Sequence, residues 1–244
     1  MGTSLRKQRE VRQRELMLLE VARRMLIEQG YAGLNMDRLA EATEYSKGTV
    51  YQHFSTKEDL VTALAVQSME QRLALFQKAL AFPGKPRERV LAVALADELF
   101  VRLHPHYARS EQIIKMADLE ERASVERRGL LNGLESNCFQ GVGKVVEDAI
   151  TAKDLTLPGH WTSREVIFSL LAMSNGTHNV SLNYRPLLQK IGVTAPLDTL
   201  REAIPVFLDG LGWKPLRSEW DYSTTYQRLT QEVFADEWRR AGLG

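Results

Sequence analysis

Between residues 35 and 57 the chain gathers side chains that hydrogen-bond well but carry no covalent chemistry: Asn35, Lys47, Thr49, Tyr51, Gln52, His53 and Lys57, with Gly48 among them. Thr49 and Gln52 have the groups that pair with base edges, glutamine bidentately with adenine. Lys47, Tyr51 and Lys57 suit phosphate oxygens, as do the backbone N–H groups where helices start, one of which Asn35 would open. Spacing turns this composition into a surface. At 3.6 residues per turn, Val50 and Phe54 share one apolar face. Gly48, Thr49 and Gln52 cluster opposite, Lys47 stands at the N-terminal end, and Tyr51 and His53 flank the outer side. Gly48 costs helix stability relative to alanine, and its missing side chain lets a partner approach the backbone. His53 suits either a phosphate or a hydrogen bond within the fold. Tyr31 and Phe54 read as packing residues.

Other chemistry does not assemble. There is no glycine-rich phosphate loop and no G-x-S-x-G. His104 and His106 straddle a proline without the i, i+4 spacing of a helical metal site. The single cysteine, Cys138, excludes an internal disulfide framework and fits a reducing cytosol. No enzyme activity, metal or cofactor is expected, and the expected location is the cytoplasm. No apolar run approaches the roughly 20 residues that span a bilayer, so no membrane association is expected.

The elements that must position residues 35–57 are helices. In "RELMLLEVARRMLIEQGY", Leu18, Leu19, Ala22, Met25 and Leu26 form one apolar stripe, and Gly30 sits at the C-terminal end. Asn35 is placed to cap a short second helix, and Ser46 a short third one. Thr56 and Asp59 form a T-x-x-D capping box opening a helix to about Leu80. Helices of about eight residues are marginal alone, so longer neighbours must hold the second and third. Two short helices joined by a tight turn, the second exposed, are a helix-turn-helix, whose second helix fits a major groove.

The stretch from Arg14 to Leu60 resembles the N-terminal domain of the TetR family. The matching features are Gly30-Tyr31, Leu39-Ala40, Ser46-Lys47-Gly48-Thr49, Tyr51-x-His53-Phe54 and Lys57-Glu58-x-Leu60. The resemblance implies an all-helical homodimer that binds double-stranded operator DNA, with a ligand-binding and dimerisation domain beyond about residue 80. Two departures stand out. Thr43-Glu44 replaces the family's Ala-Gly at the turn, and Tyr45 replaces a small apolar residue. Glycine there would accept a left-handed backbone, which costs other residues about 1–2 kcal/mol; Glu44 is therefore strained or the turn differs.

The remaining sequence extends the all-α reading: an N-terminal three-helix domain over 1–60 and a larger helical domain over 61–244. A helix from Pro86 to Leu103 is followed by the "LHPHY" interruption. Residues 110–151 read as helical but broken near Gly129, Gly133, Gly141 and Gly143, as kinks or as two pieces. Ser163 caps a helix to Tyr184, 185–196 read as loop, Pro196 opens another helix, and an amphipathic segment covers Trp220 to Arg240. The helices near 163–184 and 196–212, with Ala172, Gly176 and "AIPVFLDGL", are the expected dimer interface. Phe100, Met116, Cys138, Phe139, Trp161, Phe168 and Met173 could line a pocket for a largely apolar effector, oriented by His104, Tyr107, Asn137 and His178. Filling the core explains each one singly as well. A regulator released from its operator by a small ligand is the leading reading; control by a protein partner is the alternative.

Charge is unevenly distributed. Residues 1–57 hold 10 Lys and Arg against 7 Asp and Glu, while the remainder holds 22 against 24. Arg6, Lys7, Arg9, Arg12 and Arg14 precede or open the first helix. They read as a solvated tail, or as a basic arm reaching DNA.

Overall fold

The computed structural model describes residues 2–117 and 122–243, without the side chains of 2–4 and 115–117. Among the described residues the regular elements are all helical. In order they are α1 (Gly2–Gly33), α2 (Met36–Ala42), α3 (Lys47–His53), α4 (Lys57–Leu80), α5 (Pro86–Leu103) and α6 (Pro105–Ala117). They continue as α7 (Val125–Thr151), α8 (Ser163–Asn183), α9 (Arg185–Ile191), α10 (Pro196–Gly210), α11 (Tyr222–Arg228) and α12 (Ala235–Arg240), with a π-helical turn, Leu229–Val233, before the last. No described helix is long and apolar enough to cross a membrane.

Several local expectations change. Residues 5–14 are not a tail but the first turns of α1, exposed from 5 to 13 and half-buried at Arg14. Gly30 does end the long run of α1, with φ 69°, a value that glycine's missing Cβ permits, and a short helical turn then follows to Gly33. The helix α7 runs unbroken through all four of its glycines. At Gly141 the reason is packing: a Cβ there would lie 2.5 Å from Leu80 Cδ1. The cap of α8 is Thr162 rather than Ser163, in a capping box with Glu165. Residues 185–191 are helical because Pro186 occupies the first turn, where its missing N–H costs nothing.

The chain divides into two compact units. The first comprises Met1–Glu70 with His106–Leu134; the second comprises Gln71–Pro105 with Glu135–Gly244. The sequence drew one boundary near residue 60. Ile114 and Leu131 explain why 106–134 group with the N-terminal helices, since both are buried in the core that Leu18, Leu26, Leu39, Val50, Phe54 and Leu64 form. Arg23 is buried there as well. It donates to Ser110 Oγ at 2.7 Å and Gln67 Oε1 at 2.6 Å, and its guanidinium lies 3.7 Å from the Tyr107 ring. Burial pulls its pKa below the ordinary value.

The second unit is built around α5, whose buried residues span nearly its whole length. Helix α10 packs on α5 and α8, and α12 also packs on α5. The buried Arg87 donates to the carbonyls of Trp213 and Pro205 and to Asp209. Thr225 Oγ1 donates to the buried Glu88 at 2.6 Å. The C-terminal segment is thereby tied to the core by polar contacts as well as by Leu229 and Phe234, both fully buried.

Candidate nucleic-acid interface

Short-range capping fixes α2, α3 and the start of α4. Asn35 Oδ1 accepts from the N–H groups of Asp37 at 2.8 Å and Arg38 at 3.3 Å. Ser46 Oγ accepts from Thr49 N at 3.1 Å, and the Ser46 and Thr49 hydroxyls are 2.8 Å apart. Between them the turn closes through Glu44 with φ 58°. That is the left-handed region in which the sequence anticipated strain. Tyr45 follows half-buried against the core, with the Arg14 guanidinium 5.4 Å from its ring.

The far end of α3 is fastened over a long sequence separation. Asp59 takes the Thr56 cap bond on its N–H at 3.0 Å, and its carboxylate accepts from Ser55 N at 3.3 Å. The same carboxylate accepts from Ser124 N and Oγ and from Arg127 Nε. Burial pushes the Asp59 pKa up, but the Ser124 bond, the Arg127 charge and the backbone donors outweigh it, leaving the carboxyl below the ordinary aspartate value. Arg127 Nη2 also donates to the His53 carbonyl at 3.0 Å, with its guanidinium 4.9 Å from the Phe54 ring. Sequence reasoning missed Arg127 entirely. In "ERRGLL" it looks like an ordinary charge on a solvated helix.

This mounting leaves a clear division on α3. Val50 and Phe54 are fully buried, as their spacing predicts. Lys47, Gly48, Tyr51 and Gln52 are exposed, and Thr49 is half-buried. A Cβ on Gly48 would meet only Ser46 Oγ, at an ordinary 3.8 Å, so the fold itself does not demand glycine there. Lys47 pairs with Asp37, and that hydrogen bond raises its pKa, keeping the ammonium charged. The His53 side chain is turned inward at 7% exposure, 3.9 Å from Glu15. Burial lowers its pKa first of all. Lys57 Nζ lies 3.8 Å from the Tyr31 ring, whose hydroxyl donates to Glu58 at 2.7 Å. Burial, then the Glu58 bond, pushes the Tyr31 pKa up to about 12.

The aromatic and polar residues that could line a pocket fall in both units and differ in burial. In the second unit Phe100 is buried, with the Arg72 guanidinium 4.0 Å from its ring and the His104 ring 5.7 Å away. Asp97 accepts from Arg72 and Ser174 and lies 3.5 Å from His178 Nε2. Trp161 and Met173 pack half-buried on that unit's core. Asn137, Phe139 and Phe168 are exposed, the last at 69%. Tyr107 belongs to the first unit, beneath Arg23. The Met116 side chain lies outside the described residues. Asp97 carried a signal that sequence reasoning passed over: it interrupts the apolar run "VLAVALADELF".

Residues 18–64 match the family model described as bacterial regulatory proteins, tetR family. HTH-type transcriptional repressor AcnR of Corynebacterium glutamicum is 50% identical over 48 residues, 20% of this chain and 26% of AcnR. The chain thus spans about a quarter of that relative's length. A regulatory protein in the tetR family from Rhodococcus RHA1 superposes with a TM-score of 0.62 at 17% identity, over 82% of this chain and 97% of its own. AibR in complex with isovaleryl coenzyme A and operator DNA superposes at 0.59 and 19% identity, over 78% and 95%. These likenesses establish the all-helical fold with an N-terminal helix-turn-helix domain.

Proposed function

We propose that this chain, which its residues 18–64 make a member of the tetR family of bacterial regulatory proteins, is a cytoplasmic, homodimeric repressor that reads operator DNA with α3. The observation carrying this reading is the division of α3 itself: a polar, exposed face of Lys47, Gly48, Tyr51 and Gln52 backed by buried Val50 and Phe54. Gln52 and Thr49 are assigned to base edges. Tyr51, Lys47 and Lys57 are assigned to phosphates, Lys57 by swinging off the Tyr31 ring. Asn35 acts through the α2 N-terminus it caps, and His53 positions α3 from within.

A second copy would supply the other half-site through α8 and α10. Phe168, Leu171 and Val206 are exposed on these helices. A Cβ on Gly176 would meet nothing within 4 Å, so nothing within the chain explains that glycine. Packing the two pairs as a four-helix bundle across a two-fold axis would set the α3 helices in successive major grooves, about 34–36 Å apart. The effector, a molecule with an apolar body and a polar group, would act at the cluster of buried Phe100, Asp97 and His178 with half-buried Ser174. It would lower operator affinity by preferring a different dimer geometry.

Selection from random duplex DNA tests the reading. An enriched symmetric site, bound less tightly as salt rises, is the expected result; the absence of any enriched symmetric sequence contradicts it. Thermal-shift screening tests the effector separately, since a ligand of the native state raises its stability. Stabilisation by polyanions alone would exclude an apolar ligand.

A further inference from the structure

The positive charge of the DNA-binding region does not reside in the helix-turn-helix. Residues 17–57 hold 5 Lys and Arg against 5 Asp and Glu, and are neutral. Residues 1–16 hold 5 against 2 and supply the whole surplus. One of the five cations in 17–57 is moreover the buried Arg23. A neutral reading head is a poor match for a duplex carrying one charge per roughly 1.7 Å of axis, so the electrostatic attraction has to come from elsewhere.

The start of α1 is placed to supply it. Lys7, Val11, Arg14, Leu18 and Ala22 succeed one another at steps of three and four and make one stripe of α1. From Leu18 onward that stripe is core. Arg14 lies over Tyr45, the residue immediately before the Ser46 cap of α3. Glu15 is 3.9 Å from His53 and 3.6 Å from Arg127. Before Arg14 the helix leaves the fold, and residues 5–13 are exposed on every side. The thirteen residues from Gly2 to Arg14 extend about 18 Å, alongside about five phosphates of one strand of a duplex. Because they continue a packed helix, they need no nucleus of their own.

The acids on this stretch are already matched, Glu10 by Arg6 at 2.9 Å and Glu15 by Arg127. Lys7 and Arg9 have no acidic partner among the described residues. An anionic membrane would also attract such a helix, but a membrane helix needs an apolar stripe. Here Leu5 and Leu16 share their face with Arg9 and Arg12.

We propose that residues 2–14 of α1 are a second, rigid DNA-binding element that lies along the phosphate backbone beside the α3 site and provides most of the non-specific affinity. The inference rests on the reading of α3 as a DNA reader. The Tyr45 departure from the family pattern then has a use, since its ring holds Arg14 and so fixes where the extension leaves the domain.

The test uses the full chain with Lys7→Gln and Arg9→Gln together, both exposed and remote from the core, on an operator obtained by selection. Operator affinity at about 0.15 M salt should fall about tenfold or more. The slope of log affinity against log salt should fall by about one per lost contact in each protomer, with the ranking of sequences unchanged. A chain truncated before Leu16 should behave in the same way. Unchanged affinity and slope in the double variant would overturn the inference while leaving Gln52-dependent base preference, and so the α3 reading, intact. Capture by phosphatidylglycerol vesicles through Lys7 and Arg9, with the DNA slope unaltered, would also overturn it. A wild-type chain that prefers no sequence would overturn both.

Discussion

Helices α3 and α8 each present a face that contacts within their own unit do not explain, and the two faces differ in chemistry. On α3 the uncovered residues are Lys47, Gly48, Tyr51 and Gln52, rich in donors and acceptors. On α8 they include Phe168, Leu171 and Ala172, with nothing to donate or accept beyond the backbone. A face of the first kind gains little from meeting its own copy and much from base edges and phosphates. A face of the second kind gains by leaving water, at roughly 25 cal/mol per Å² of apolar surface. The contrast teaches that exposure alone names no partner; the chemistry left exposed does.

The largest expected effect comes from spoiling the apolar face. Phe168→Asp with Leu171→Asp should give monomers by light scattering and lower operator affinity by more than about 100-fold, since two linked half-sites lose their mutual effective concentration. Retained dimers with unchanged binding would remove α8 from the interface. On the polar face the expected loss is smaller. Gln52→Ala should cost about 1–3 kcal/mol of operator binding and relax preference at one or two positions. Lys47→Ala should weaken all sequences alike and reduce the salt slope by about one. Equal losses on every sequence for both variants would erase the distinction between base and phosphate contacts.

The mount of α3 should respond to Asp59→Asn, which removes charge from the bonds with Ser124 and Arg127 and should lower stability by about 2 kcal/mol in denaturant titration. The pH dependence has a definite sign. The folded Asp59 pKa lies below its ordinary value, so its contribution is complete above about pH 4 and is lost as the pH falls further. The variant's deficit should therefore shrink in acid; a deficit that grows there would contradict this account. The smallest effect belongs to the turn. Glu44 adopts φ 58°, so Glu44→Gly should raise stability by about 1 kcal/mol, less the entropy glycine adds to the unfolded chain. Lower stability would mean that the glutamate side chain holds the turn in a way its exposed position does not suggest.

What the sequence made legible was local. Asn35, Ser46 and Thr56 cap where spacing put them, and Val50 and Phe54 turn inward by helical periodicity, because each depends on residues three or four away. The left-handed turn at Glu44 was legible for the same reason, as a residue type set against a family pattern. Arg127 fastening α3, and 106–134 joining the first unit, depend on partners about 70 residues distant that no periodicity encodes. The aromatic set of the C-terminal region is spread over different environments for a related reason. Phe100 and Phe168 have the same side chain, yet packing buries one and leaves the other exposed. Asn137 and Phe139 flank the buried Cys138, but both face solvent.

The most direct test of the central claim, that the exposed face of α3 reads base edges, is a cycle pairing Gln52→Ala with single-base changes across a selected operator, with affinity measured at fixed salt. If Gln52 reads a base, one or two positions in each half-site should show coupling, the base change costing wild type about 1–3 kcal/mol and the variant almost nothing. If every base change costs both proteins the same, α3 does not read sequence through Gln52 and the account fails at its centre.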